Sequence, residues 1–192
     1  MAQYLIPNNF IKPADCEPRT ATTRIPLINC RVWDAVMTGI PTSAATDDIG
    51  ITAGTWATAA PKLTGGDVKA TSSSRFTRFQ YVIPEGFDVL SPSLTLRINC
   101  GMETTVSDTS CTIDAVVYEN VLTVIGSDLC TTAAQSMNSL TASNKDFTIA
   151  SAGLVAGDIL DVRLNITYVD AATATAVTPA IFGVSLVSSV RS

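Results

Sequence analysis

The sequence predicts an all-β protein, an antiparallel sandwich of two sheets, and three observations lead there. The first is a run in which Leu160, Val162, Leu164, Ile166 and Tyr168 alternate with Asp161, Arg163, Asn165, Thr167 and Val169. Period-2 alternation of this length belongs to a strand with one buried and one wetter face. The second is the punctuation before that run, where Gly153, Gly157 and Asp158 separate it from a shorter alternation at Phe147 and Ile149. Glycine and Asp are the residues a reversal between strands needs. The third is composition: 15% of residues are charged, against roughly 25% in an average soluble domain. Thr, Ser and Ala fill the gap, and the branched Cβ of Thr suits a pleated surface.

At 192 residues and 46% apolar content the chain can bury one sizeable core. The expected organisation is an extended N-terminal arm over residues 1–24 followed by one domain over residues 25–192. Pro7, Pro13 and Pro18 break the arm, since proline removes donors and resists both helix interiors and central strands. Tyr4, Leu5, Ile6, Phe10 and Ile11 favour an arm that is ordered by lying along a neighbouring subunit.

The elements follow in chain order. RIPLINCRVWDAVM, residues 24–37, reads as a strand from its apolar run of Ile25, Leu27, Ile28, Val32, Trp33, Val36 and Met37. Residues 38–74 are rich in Gly, Pro, Ser and Thr, with one strand at Ile49, Ile51 and Trp56, and read as a long passage that is either a surface excursion stabilised by hydroxyls or a loop that projects to meet a partner. Phe79, Tyr81 and Ile83 form the inner face of a strand over 75–83, stopped by Pro84, Glu85 and Gly86. Leu94, Leu96, Ile98, Cys100 and Met102 form another, and Cys111, Ile113, Ala115 and Val117 a third that pairs with it. Residues 127–140 have helix potential, with Ser127 as N-cap and Leu129, Ala133, Ala134 and Met137 at helical spacing; their Thr and Ser content favours a strand. Phe182, Val184, Leu186 and Val190 close the chain. About eight strands at this spacing suit a two-sheet sandwich.

The net charge of −5 argues against binding nucleic acid through its phosphates, which calls for a basic stripe. Four bases and two acids give residues 1–31 a charge of +2, so the remainder carries −7. Chance accounts for such an imbalance, and the functional alternative is a mildly basic arm that lies on an acidic partner surface. Cys16, Cys30, Cys100, Cys111 and Cys130 are odd in number and share no C-x-x-C spacing, which points away from a disulfide framework or a zinc site. No leader-like or membrane-spanning apolar run is present, so synthesis in a reducing host cytoplasm is expected.

Histidine is absent. That removes the commonest general base and every Ser-His or Cys-His nucleophile pair. No phosphate-cradling glycine motif occurs. Asp158 and Asp161 are weighed as a carboxylate pair and read as a turn residue and a surface residue. Asp47 and Asp48 are a sparse calcium candidate without dense ligand spacing. Asn165-Ile166-Thr167 matches a glycosylation triplet in mid-strand. Trp33, Trp56, Tyr81 and Tyr118 are the aromatics that a sugar-binding surface would use. No enzyme, cofactor, metal or small-molecule substrate is expected.

The phrase FTIASAGLVAGDILDVRLNITYVDAATATAVTPAIFGVSLV resembles the jelly-roll structural proteins encoded by tailed bacteriophages over roughly residues 75–190. A small acidic chain with an N-terminal arm is most similar, within that group, to head decoration or cement proteins. The resemblance implies a jelly-roll fold and a homotrimer on the capsid surface of a virion, where it clamps neighbouring major capsid subunits. It also implies an arm that makes the contact, through Tyr4, Leu5, Ile6, Phe10, Ile11, Lys12, Arg19 and Arg24. The alternative is a carbohydrate-binding jelly-roll module of a phage fibre or tail protein.

Overall fold

A computed structural model describes residues 17–121, 124–171 and 175–191. The strands are β1 (Pro18–Ile25), β2 (Gly50–Thr52), β3 (Lys62–Thr64), β4 (Thr71–Val82), β5 (Leu94–Met102), β6 (Ser110–Val121), β7 (Val124–Ile125), β8 (Gln135–Ser136), β9 (Ser143–Ile149), β10 (Ile159–Asp170) and β11 (Pro179–Arg191). They form two antiparallel sheets. One runs β2-β3-β11-β5-β9 with β1 also on β11, and the other runs β4-β10-β6-β7 with β8 also on β6. Without the short β2, β3 and β7, the orders are β1-β11-β5-β9 and β4-β10-β6-β8, the two interleaved four-stranded sheets of a jelly roll.

The strongest sequence signal occupies the centre. β10 lies between β4 and β6, and Leu160, Val162, Leu164, Ile166 and Tyr168 are all 0% exposed. Inward residues of both sheets meet them, including Phe79, Leu96, Ile98, Ile113, Val117, Phe147 and Leu186. Face-to-face sheets joined by alternating apolar side chains bury the core between them.

Several expectations change. The chain passes from one sheet to the other between β5 and β6, so the segments around Cys100 and Cys111 do not pair. Each has an apolar face, and alternation alone does not distinguish a hairpin from an arch across the core. Both cysteines are buried and free, and burial pushes their thiols up to about 11 and about 12. β9 and β10 are likewise joined across the sandwich. The 151–158 turn uses the predicted residues: Gly153 and Gly157 have φ of 95° and 93°, and Asp158 Oδ2 accepts the Val155 N–H at 2.7 Å.

The 24–37 strand is absent. Ile25 ends β1, Pro26 interrupts the ladder, and a short 3-10 turn (Leu27–Asn29) follows. The apolar run there is only partly inward: Ile25 and Cys30 are buried, whereas Ile28 and Met37 are exposed. Residues 18–25, read from sequence mostly as arm, are a strand along β11, in register from Pro18 opposite Arg191 to Ile25 opposite Val184. Pro18 begins an edge strand, where a missing donor is tolerated. Trp56 lies outside β2, and Phe182 faces outward because a bulge between Ile181 and Gly183 shifts the alternation. Of residues 127–140 only Gln135–Ser136 is strand, and none of it is helix.

Candidate functional site

The arm residues Tyr4, Leu5, Ile6, Phe10, Ile11 and Lys12 lie outside the described residues. Arg19 and Arg24 are on β1, exposed, opposite Val190 and Ser185. Five positions apart on a strand, they occupy opposite faces and form no common patch.

Two other surfaces are built. The first is the excursion between β1 and β4, in which β2 and β3 make a hairpin on the edge of β11. At its tip Thr55 bridges Ala59, Gly54 and Ala57 adopt φ of 73° and 63°, and Trp56 is 98% exposed. No charged residue occurs from Ile49 to Pro61. The hairpin thus ends in a whole indole held in water on a braced, uncharged tip.

The second is the outer face of the β4-β10-β6 sheet. Arg78 stands directly opposite Arg163, a like-charge pair that would repel if both side chains ran straight out. They diverge diagonally. Arg78 reaches Asp161 through Nε at 2.6 Å and through its Nη2, a bidentate pair, and Gln80 Nε2 adds a donor to Asp161 at 3.5 Å. The hydrogen bonds that Arg78 donates to Asp161 hold its guanidinium even more firmly protonated than usual. Arg163 turns the other way and lies 5.5 Å from the Phe76 ring and 5.8 Å from that of Trp33, whose own centroids are 5.3 Å apart.

Trp33 is brought there by the chain after β1. Arg31 exchanges backbone hydrogen bonds with Arg78 at 2.7 and 3.1 Å, so the chain at Arg31 lies along the edge of β4 away from β10. Asp47 accepts the Phe76 N–H at its backbone carbonyl and the Trp33 Nε1–H at its carboxylate, at 3.0 Å. Asp47 is therefore an anchor for an indole. Its neighbour Asp48 has a carboxyl pushed up from the usual range by burial and then by Asp47 and Asp34, with Arg75 opposing. Among the described residues no group of three or more His, Cys, Asp or Glu is placed to hold a metal.

Trp33, Arg78, Tyr118, Glu119, Asn120, Asp161 and Arg163 line a depression of about 240 Å³ on this face. Of the four aromatics singled out in the sequence, it collects Trp33 and Tyr118, while Tyr81 is buried in the core. The cross-strand partners of Arg78 and Asp161, 83 positions apart, are invisible without the register.

Fold and surface together define an antiparallel β-sandwich with a hairpin tip and a polar-aromatic depression. No family model and no curated protein matches the sequence. Among solved structures, the chain is similar to a chain from infectious bursal disease virus, Gx strain, with a TM-score of 0.38, 13% identity, and coverage of 91% of this chain and 32% of that one. The Gt strain gives 0.38, 12%, 91% and 32%. A chain from work on the promiscuous specificity of carbohydrate-binding modules of the β-sandwich superfamily gives 0.43, 10%, 87% and 55%. The chain thus spans between a third and just over half of the lengths it matches. These are likenesses of fold, and function does not transfer at such distances. No helix among the described residues is long and apolar enough to cross a membrane.

Proposed function

We propose that this chain is a non-enzymatic structural protein of a phage virion, a decoration protein that binds the outside of the head and bridges major capsid subunits. The observation that carries this reading is β1. Only Ile25 of its eight residues is buried, and β11 occupies one of its edges while no described residue pairs with the other. The edges of β4, β2 and β9 are by contrast covered: Asp47, Ile49 and Arg31 bond to β4, Pro41 accepts the Ile51 N–H, and Leu129 and Thr131 bond beside β9. An edge that no described residue covers, continuing directly from an apolar N-terminal segment, suits addition to a partner's sheet or groove. The exposed Trp56 hairpin supplies a second anchor, and repetition in a trimer multiplies weak contacts.

Co-sedimentation with purified heads of the encoding phage tests it. The full chain should pellet with heads, a chain lacking residues 1–17 should lose most of that binding while keeping its melting temperature, and Trp56→Ala should weaken it. Light scattering should give about 60 kDa, three subunits of 20.1 kDa. Full binding by the truncated chain would remove the arm from the proposal, and a full-length chain that ignores heads would end it.

A further inference from the structure

The depression on the outer face of β4-β10-β6 is independent of β1 and of the Trp56 hairpin, and we propose that it is a carbohydrate subsite taking one neutral pyranose unit of a glycan. Its size fits: 240 Å³ is the space of about eight waters at ~30 Å³ each, enough for a single sugar ring with an open side for the rest of the chain.

Its chemistry narrows the class. Arg78 and Arg163 cancel Asp161 and Glu119, so the lining carries no net formal charge. An anionic ligand meets two carboxylates there and a cationic one meets two guanidiniums. A polyhydroxyl compound uses both, because each hydroxyl donates once and accepts twice. The needed atoms are unclaimed. Among the described residues Arg163 Nε, itself buried, has no hydrogen-bond partner, and a buried donor of this kind is costly unless something bonds to it. Asp161 accepts two bonds from Arg78 and one from Gln80, leaving one of its roughly four lone-pair sites open. Asn120 and Glu119 stand at the exposed end of β6, bringing an amide and a carboxylate.

Trp33 and Tyr118 supply the apolar walls that the C–H face of a sugar packs against. Trp33 is held in advance, and Tyr118 is carried on a paired strand. Trp33 is pinned by Asp47 and by Phe76, and Tyr118 stands opposite Asp161 in the β6-β10 ladder. The site therefore sits on strands and a braced segment, with little left to order when a ligand arrives.

The test is affinity electrophoresis of the full chain in gels containing dextran, mannan or galactan, with heparin as the anionic comparison. At least one neutral polysaccharide should retard the protein and heparin should not. Tyr118→Ala should weaken the retardation roughly tenfold, the loss of one good contact. Trp33→Ala should do at least as much, and Trp56→Ala should leave it unchanged. Tyr118→Phe and Asn120→Ala, at the rim, keep the experiment decisive if Trp33→Ala fails to fold. The proposal is overturned if no neutral polysaccharide retards the protein, if heparin is preferred, or if retardation survives both Tyr118→Ala and Asn120→Ala. None of these outcomes bears on head binding, which is read by sedimentation.

Discussion

Replacing Tyr168 with Phe should destabilise the protein by about 1–3 kcal/mol, the penalty for leaving a buried polar group without its partner. Tyr168 is 0% exposed near the C-terminal end of β10, and its hydroxyl donates to the Gly65 carbonyl at 2.6 Å. Gly65 is itself buried, just after β3, so this bond ties a central strand of one sheet to the hairpin of the other. The carbonyl has little freedom to find water. The Gly65 N–H is fixed on the Pro179 carbonyl at 2.9 Å, and a Cβ at Gly65 would stand 2.6 Å from Pro179 Cγ. Phe keeps the ring and the volume, so the change isolates the hydroxyl; Tyr168→Ala, which adds a cavity, should cost about 3–5 kcal/mol. For a domain of this size each kcal/mol moves Tm by roughly 2–4 °C, so Tyr168→Phe should lower it by about 2–12 °C. Urea denaturation followed by fluorescence should show a lower midpoint with an unchanged slope. A change under ~0.5 kcal/mol, the scatter of surface substitutions, would refute the assignment of that bond.

Three further outcomes follow from the same structure. Cys30, Cys100 and Cys111 are buried with thiols pushed up to about 12, about 11 and about 12. Peptide mapping after iodoacetamide treatment at pH 8 should find them unmodified until denaturant is added; since their folded values lie above the ordinary thiol value near 8.5, stability should also fall as pH rises through that range. Asp48 is raised by burial and by Asp47 and Asp34, so its charge opposes folding at neutral pH and its protonation favours it. Asp48→Asn should therefore raise Tm at pH 7, with the gain vanishing below the ordinary carboxylate value near 3.9, and a loss at pH 7 would contradict the sign. Gly157→Ala, at φ 93° with no atom in the way, should cost ~1–3 kcal/mol through backbone strain alone, whereas Gly126→Ala, which also meets open space but has no positive φ, should be near neutral in the same melt.

The sandwich was legible because its core strands are written in period 2. Every alternate residue from Leu160 to Tyr168, from Leu94 to Met102 and from Cys111 to Val117 is buried. What period 2 does not encode is the partner of each face. The β5-β6 pairing failed for that reason, since an arch across the core and a hairpin bury the same side chains. Phe182 failed for a different one: a bulge adds one residue to the count and inverts everything before it. β1 failed because its evidence is non-local. PRTATTRI has almost no apolar period, and it becomes a strand through the ladder offered by residues 184–191, more than 150 positions away.

The depression on the outer sheet was legible only as parts. Trp33 and Tyr118 stand out in the sequence for their aromaticity and Asp161 for its charge, yet neither spacing nor motif joins residues 33, 118 and 161. Two constraints assemble them. The β10 register sets Arg78 opposite Arg163 and Asp161 opposite Tyr118, and the repulsion between the arginines sends one to Asp161 and the other to the aromatic pair. The Arg31 bridge to Arg78 then delivers Trp33 onto that face. Moving β10 by one residue would turn Arg163 and Asp161 into the core and its leucines into water, so the hydrophobic pattern that fixes the fold also fixes this surface. An adhesive or sugar-binding role thus needs no motif in the sequence, because the core's alternation already determines which polar residues share a face.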